Sequence, residues 1–360
     1  MSSEHSSQPL PPPPFTKAVW LTNVDSQVLN SRANLDRGLQ QLAALGLNTI
    51  YPVVWQRGYT LYPSPIAAQL TGSLVLPDSP FVGRDFLAEI IELAAPLNIR
   101  VIPWFEYGLM VPPRSHLART YPDLLTIDRQ GNLQRIQGAN GQQDPQVWLN
   151  PCHDLVRQFM VDTIGDLVAR YPVAGVQLDD HFAFPIELGY DKLTQHLFAQ
   201  NSGANWDEWR REQLTTLLTE IVSAVKAIRC DCLVSISPNP LNFAKSRYLV
   251  DWQQWCDLGL VDELVLQVYR DRSDAFDREL SKPEVRAIKT KIPTIIGILT
   301  GLRTKPISTE TIGAQIDLTI AKEFGGFACF FYETLFHEQL SPQLVSRDNR
   351  ELMAILRAEN

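Results

Sequence analysis

The chain has 360 residues, 45% hydrophobic and 20% charged, the make-up of an ordinary globular protein with apolar material for one large domain or two smaller ones. A formal net charge of −8 and a pI near 5.3, with no dense Lys/Arg stripe, argue against polyanion binding, so neither nucleic acid nor an acidic lipid surface is an expected partner. No run of about eighteen uncharged apolar residues offers a membrane span, and the five cysteines form an odd set with no Cys-x-x-Cys spacing, so reduced thiols are expected and neither a metal nor a cofactor.

Residues 1–15 are polar and then Pro-rich, which predicts a flexible lead-in of polyproline character. They contain no apolar signal-peptide core, and the expectation from that is a cytoplasmic protein. From residue 16 to 360 one folded domain is expected. Its first strand is "AVWLTNV" (18–24), followed by a helix pattern over 34–46, a strand over 48–55, a helix over 84–98 and a strand over 100–108. The helix over 153–171 repeats its apolar residues at three and four, through Leu155, Phe159, Val161, Ile164 and Val168. A strand over 173–180, a helix over 205–229, a strand over 232–238 and a helix over 251–259 follow. Strands over 263–270 and 294–301, a helix over 308–325, a strand over 327–334 and a helix over 348–358 complete the chain.

Strands alternating with helices require a parallel sheet, and eight repeats point to an α/β fold of the (β/α)8 TIM-barrel type rather than an open doubly wound sheet. The first strand is not followed by Gly-x-Gly-x-x-Gly, the usual sign of the open alternative. Helix-to-strand connections are short, whereas the strand-to-helix connections over 56–85, 109–152 and 182–205 are long. Those long βα loops gather at the C-terminal face, where barrel active sites are built. The first strand lacks the His-x-His of metal-dependent amidohydrolases, no strand carries a mid-barrel lysine, and no Gly-rich phosphate cradle closes the last strands. Metallohydrolase, Schiff-base aldolase and phosphosugar isomerase are thereby disfavoured.

Period-two alternation assigns the inward-facing residues near each strand end. Glu106 shares parity with Trp104, Asp179 with Gln177, and Tyr269 with Gln267; Ser237 and Asn239 end the fifth strand and Glu333 the eighth. Carboxylates, amides and flat rings around one mouth suit a sugar, because acids act at the glycosidic carbon, amides bind hydroxyls and rings stack on pyranose faces. The expected partner is therefore a carbohydrate substrate. Asp179, Asp180 and Glu106 are the candidate catalytic residues. Trp20, Asn23, Trp55, Trp104, Tyr107, Asn150, Gln177, His181, Asn239, Gln267, Tyr269 and Glu333 are the candidate substrate-binding residues. The non-functional alternatives are a solvated strand end for the Asp179-Asp180 pair and an ion pair between Glu106 and an arginine such as Arg114.

The segments "VWLTNV", "GLNTIYPVVW", "VIPWFEYGL", "WLNPCHDLVRQFM", "GVQLDDHF", "SISPNP", "VDELVLQVYR" and "GFACFFYE" together resemble the glycosyl-hydrolase-like family 10 domain, in order and over about residues 17–335. The resemblance implies a barrel and a glycosidase activity, in a family that includes the bacterial hydrolase of peptide-free peptidoglycan strands. It places Asp179 and Asp180 at the family's acidic pair, Asn150-Pro151 at its "NP" and Gln267-x-Tyr269 at its "Q-x-Y"; Glu106 departs from the residue many relatives carry. Two schemes follow. Either Asp179 is a nucleophile with Glu106 or Glu333 as general acid, or Asp179 and Asp180 together promote attack by the substrate's own acetamido group. The second is preferred, and it requires the fourth strand to break at Asp180, since strict alternation would turn that side chain outward. A barrel that binds sugar without cleaving it and a retaining glycosidase of neutral glucans are the alternatives.

Overall fold

The computed structural model describes residues 10–137, 142–143, 145–201, 205–303, 305–336 and 349–357; of the expected lead-in, residues 1–9 lie outside the described residues. Eight parallel strands form the centre: β1 (Thr16–Leu21), β2 (Thr49–Pro52), β3 (Arg100–Val101 and Trp104–Phe105), β4 (Gly175–Asp179), β5 (Leu233–Ser237), β6 (Glu263–Gln267), β7 (Thr294–Leu299) and β8 (Gly326–Phe330). Each pairs with its sequence neighbour, and β8 pairs with β1 through Thr16 opposite Gly326, so the sheet closes into a barrel. In β3 the two halves flank Ile102-Pro103, where proline has no N–H to give the ladder. The chain nonetheless keeps its line: the Ile102 N–H donates to Ile50, the Val54 N–H to the Trp104 carbonyl, and the Gln177 N–H to the Pro103 carbonyl, at 2.8–3.0 Å.

The helices that close the βα units are α1 (Arg32–Ala44), α2 (Phe86–Ala94), α3 (Asp154–Arg170), α4 (Trp206–Ile228), α5 (Trp252–Asp257), α6 (Ser273–Leu280), α7 (Thr309–Ala321) and, after β8, α8 (Asn349–Arg357). Their starts are written in the sequence. Ser31, Asp85, Asn205, Asp251 and Ser308 each cap a first turn by accepting a backbone N–H with the side chain. Two expectations are corrected. The eighth strand ends at Phe330 rather than 334, and Tyr332–Phe336 is a short helix. Between β6 and β7 lies α6, followed by a second helix, Pro283–Ile288, where no helix was expected: in the charged run "SDAFDREL" only Phe276 and Leu280 are buried.

TIM-barrel interiors are dominated by branched aliphatic side chains, but here the middle of the barrel is aromatic and polar. Trp20, Tyr51 and Trp104 fill it, each at most 2% exposed. Trp20 Nε1 donates to Gln177 Oε1 (2.8 Å), Gln177 Nε2 to Ser235 (3.1 Å), Ser235 Oγ to Glu263 (2.8 Å) and Tyr51 OH to the same Glu263 oxygen (3.0 Å). Burial holds the Glu263 carboxyl above its ordinary range, and Arg100 opposes that rise. Gly297 on β7 leaves room for this layer, since a Cβ there would come within 3.1 Å of the Trp20 ring. Among the described residues no helix is long and apolar enough to cross a membrane.

The long loop after β4 is fastened by Arg210 of α4, whose side chain is completely buried. Its Nη1 donates to the carbonyls of Ile186 (3.0 Å) and Leu188, its Nη2 bonds Asp207, and its plane lies 4.9 Å from the Trp206 ring. Replacing Arg210 with Ala leaves two loop carbonyls without donors. We expect a loss of about 2–4 kcal/mol of stability, seen as a lower urea midpoint at unchanged m-value.

Candidate active site

At the C-terminal mouth the geometry begins with the end of β4. The strand stops at Asp179, and the Phe182 N–H turns back to the Asp179 carbonyl (2.9 Å), so Asp180 and His181 lie in a turn. The break brings both carboxyl groups to one imidazole. His181 Nδ1 is 3.3 Å from Asp179 Oδ2, 3.2 Å from Asp180 Oδ1 and 3.1 Å from the Glu106 carbonyl oxygen. Gly108 permits that approach: its φ is +48°, and a Cβ there would sit 2.2 Å from the His181 carbonyl carbon.

The remaining carboxylate oxygens are taken by neighbouring strands. Asp179 Oδ1 accepts from Ser237 Oγ (2.8 Å) and from Gln267 Nε2 (2.9 Å), and Gln267 Nε2 is itself held by the Ser237 carbonyl (2.7 Å). Asp180 Oδ2 accepts from Asn239, whose carbonyl receives Trp252 Nε1 (3.1 Å). Strands β4, β5 and β6 thus fix the pair from three sides.

Electrostatics divide the roles. Burial pushes the Asp180 carboxyl up to about 7; the His181 cation opposes this and the Asp179 charge adds to it. Burial disfavours the His181 cation, yet the Asp180 and Asp179 carboxylates outweigh it and raise the imidazole to about 10. Glu106 is pushed up to about 8 by burial and by the Asp179 charge; its Oε2 is buried without a hydrogen-bond partner, and its polar neighbours are Gln56 and Arg57 rather than Arg114. Burial, with Asp179 and Asp180 adding, holds the Tyr269 phenol well above its ordinary range. Tyr107 is raised by burial and by Glu106, and its ring lies 6.5 Å from His181. Asn23 joins this side of the mouth through Nδ2 to Gln56 Oε1 (3.1 Å).

Other candidates lie elsewhere. Trp20, Trp104 and Gln177 belong to the closed layer beneath the mouth. Trp55 is fully buried between barrel and α3, its Nε1 on the Gly108 carbonyl (2.9 Å) and its ring 5.6 Å from Phe159. Asn150 is a brace: its Nδ2 holds Asp191 (3.0 Å) and Thr194 (2.9 Å), and its Oδ1 accepts the Cys152 N–H (2.9 Å). Glu333 lies in the first turn of the short helix after β8, where it accepts from Ser26 Oγ (3.0 Å) and the Gln27 N–H (2.7 Å), tying down the loop after β1. These contacts explain the polarity of Asn150 and Glu333 through loop anchoring.

Three side chains near the pair were not foreseen. Trp148 lies 6.1 Å from His181 and 6.1 Å from Tyr248, and buried Arg135 covers both of the outer rings while bonding Tyr248 OH (2.7 Å). The signal for Trp148 was its place in "WLNP", two residues before Asn150. Asp179, Asp180 and His181 also present ligand atoms within 4.8 Å of one another and are the one such group among the described residues able to hold a metal ion. Their geometry is equally that of an imidazolium clasped by two carboxylates.

Residues 16–317 match the family described as Glycosyl hydrolase-like 10. The chain belongs to that family. Within it, the chain is 24% identical to glycosyl hydrolase DigH of Escherichia coli K12, over 71% of this chain and 62% of that protein. It is 25% identical to glycosyl hydrolase YngK of Bacillus subtilis, over 62% of this chain and 44% of that one. The glycosyl hydrolase-like 10 chain thus spans less than two thirds of the length of these curated relatives. Its fold is that of solved TIM-barrel glycosidases. The glycoside hydrolase domain of PgaB from Bordetella bronchiseptica has a TM-score of 0.70 at 13% identity, covering 96% of this chain and 100% of that one. A Paenibacillus polymyxa β-amylase catalytic domain has 0.63 at 10% identity, covering 97% and 100%.

The raised His181 value fixes a sign. An imidazole lifted from about 6.5 in the unfolded chain to about 10 in the fold contributes stability that is complete below the lower value and is lost as pH rises through the upper one. Carbon-detected NMR titration is expected to find His181 still an imidazolium at pH 8, and the stability advantage over His181→Asn to shrink progressively as pH rises from about 6.5 to about 10.

Proposed function

We propose that the protein is a glycoside hydrolase in which Asp179 and Asp180 act together on an N-acetylated glycan of the peptidoglycan type. The observation that carries this reading is the break of β4, which turns two adjacent carboxyl groups onto one imidazole at the open end of the barrel. Family membership and the glycosidase barrels that share the fold support carbohydrate chemistry, and the rest is drawn from the site's residues.

Asp180 donates its proton to the leaving glycosidic oxygen. Burial keeps that proton on the carboxyl up to about pH 7, so the acid is available at neutrality. As the C–O bond breaks, the substrate's acetamido oxygen closes on the anomeric carbon, and Asp179 holds the acetamido N–H and balances its developing positive charge. Ser237 and Gln267 keep Asp179 from turning away. Water then opens the cyclic intermediate at the anomeric carbon, and Asp180, now a carboxylate, takes the water's proton back. No net proton or electron is consumed beyond the water added.

A second reading has one observation in its favour: Glu106 is a neutral acid at pH 7 within reach of the Asp179 charge. There Asp179 is the nucleophile and Glu106 the acid, and neutral glucans become substrates. Thiazoline-type inhibitors separate the two, since they block acetamido-assisted hydrolysis alone.

Assays of reducing-end release from chitin oligosaccharides, denuded peptidoglycan strands and α- and β-glucans test the proposal. We expect turnover of the N-acetylated substrates, with Asp179→Asn and Asp180→Asn each lowering kcat by about 100-fold or more and Glu106→Gln far less. Turnover of neutral glucans with the largest loss in Glu106→Gln would replace the proposal by the second reading. Because Asp180 must be protonated, kcat/KM should fall tenfold per pH unit above about 7. Prolonged dialysis against a chelator should leave the rate unchanged; loss restored by a divalent cation would make Asp179, Asp180 and His181 a metal centre instead.

A further inference from the structure

Phe243 is 50% exposed, the one aromatic among the large hydrophobic side chains that the described residues leave open to solvent. A lone exposed ring is ordinary on a protein surface; this one differs in where it stands. It lies in the first turn of the helix Leu241–Tyr248, which follows β5 at the catalytic mouth, four residues after Asn239, the partner of Asp180. Its ring is 5.8 Å from Tyr248, Tyr248 is 6.1 Å from Trp148, and Trp148 is 6.1 Å from His181. Successive ring contacts therefore connect the acid pair, through the buried Trp148 and the half-buried Tyr248, to the exposed Phe243 ring.

The platform under that ring is stiff. The end of the helix receives the Phe184 N–H on the Tyr248 carbonyl (3.0 Å) and the Ile186 N–H on the Arg247 carbonyl (3.0 Å), which joins it to the loop that Arg210 fastens. Arg135 locks Tyr248 from the other side. On a braced helix only the side-chain freedom of the ring itself is lost when a flat partner covers it. Pyranoses offer such a partner in the face that carries their axial C–H bonds, and continuity with the acid pair makes another unit of the same glycan the occupant.

We propose that Phe243 is an outlying sugar-stacking subsite, so that the substrate is a glycan chain several units long rather than a mono- or disaccharide. This rests on the hydrolase reading for the identity of the site, and its test reads binding instead of turnover. Calorimetry is carried out on the Asp180→Asn protein with chitin and cellulose oligosaccharides of two and of six units, alone and combined with Phe243→Ala or Phe243→Trp. Phe243→Ala is expected to weaken six-unit binding roughly 3- to 10-fold, to leave two-unit binding unchanged, and to be rescued by Phe243→Trp, with unchanged thermal midpoints. Equal losses for both lengths, or none, overturn the proposal. Length-dependent binding in a parent that cleaves nothing removes the hydrolase reading and keeps the subsite; cleavage with no length dependence does the reverse. A parent that binds no oligosaccharide removes both.

Discussion

One short-range constraint organises the mouth of this barrel: two like charges on consecutive residues cannot share a buried corner without a cation or a proton between them. The end of β4 supplies the cation. Once the chain turns after Asp179, the His181 imidazole lies between the inner oxygens of both acids, while Ser237, Gln267 and Asn239 occupy the outer ones. Each of those partners comes from the end of the next two strands, so the site depends on β4, β5 and β6 pairing side by side. A local turn and the pairing of three strands depend on each other.

The same constraint accounts for the spread of proton affinities. Burial alone would leave neutral acids and a neutral imidazole. The cluster instead carries a charged His181 beside an Asp180 balanced near neutrality, with Glu106 raised as well, by burial first and then by the Asp179 charge. Groups whose environments push them apart in this way are what acid–base chemistry at one pH requires.

Much of this was legible in the residues. Alternation of strand and helix patterns gave eight units, and parity placed Asp179, Gln267 and Tyr269 near the mouth because a strand has only two faces. Parity was weaker for Trp20, Trp104 and Gln177: it separates inside from outside but not one interior layer from the next. Loop positions were poorly legible. Asn150 and Glu333 look like ligand-binding groups in a sequence, yet their partners are Thr194 and Ser26, which no periodicity brings near them. Trp148 escaped for the same reason, since it meets His181 only through the fold of a long loop, and Tyr248, at the end of the helix after β5, joins the group only by packing on Trp148. The helix after β6 was missed because its two buried residues make too thin an apolar stripe.

The hydrogen-bonded layer formed by Trp20, Gln177, Ser235, Glu263 and Tyr51 has a consequence for how such a protein can change over time. It stitches β1, β2, β4, β5 and β6 together at one height. Sliding any of these strands along its neighbour would strand a polar group in a dry interior, so the floor under the acids behaves as a fixed foundation. New specificities are then free to arise by exchange of the overlying loops, with the foundation inherited intact.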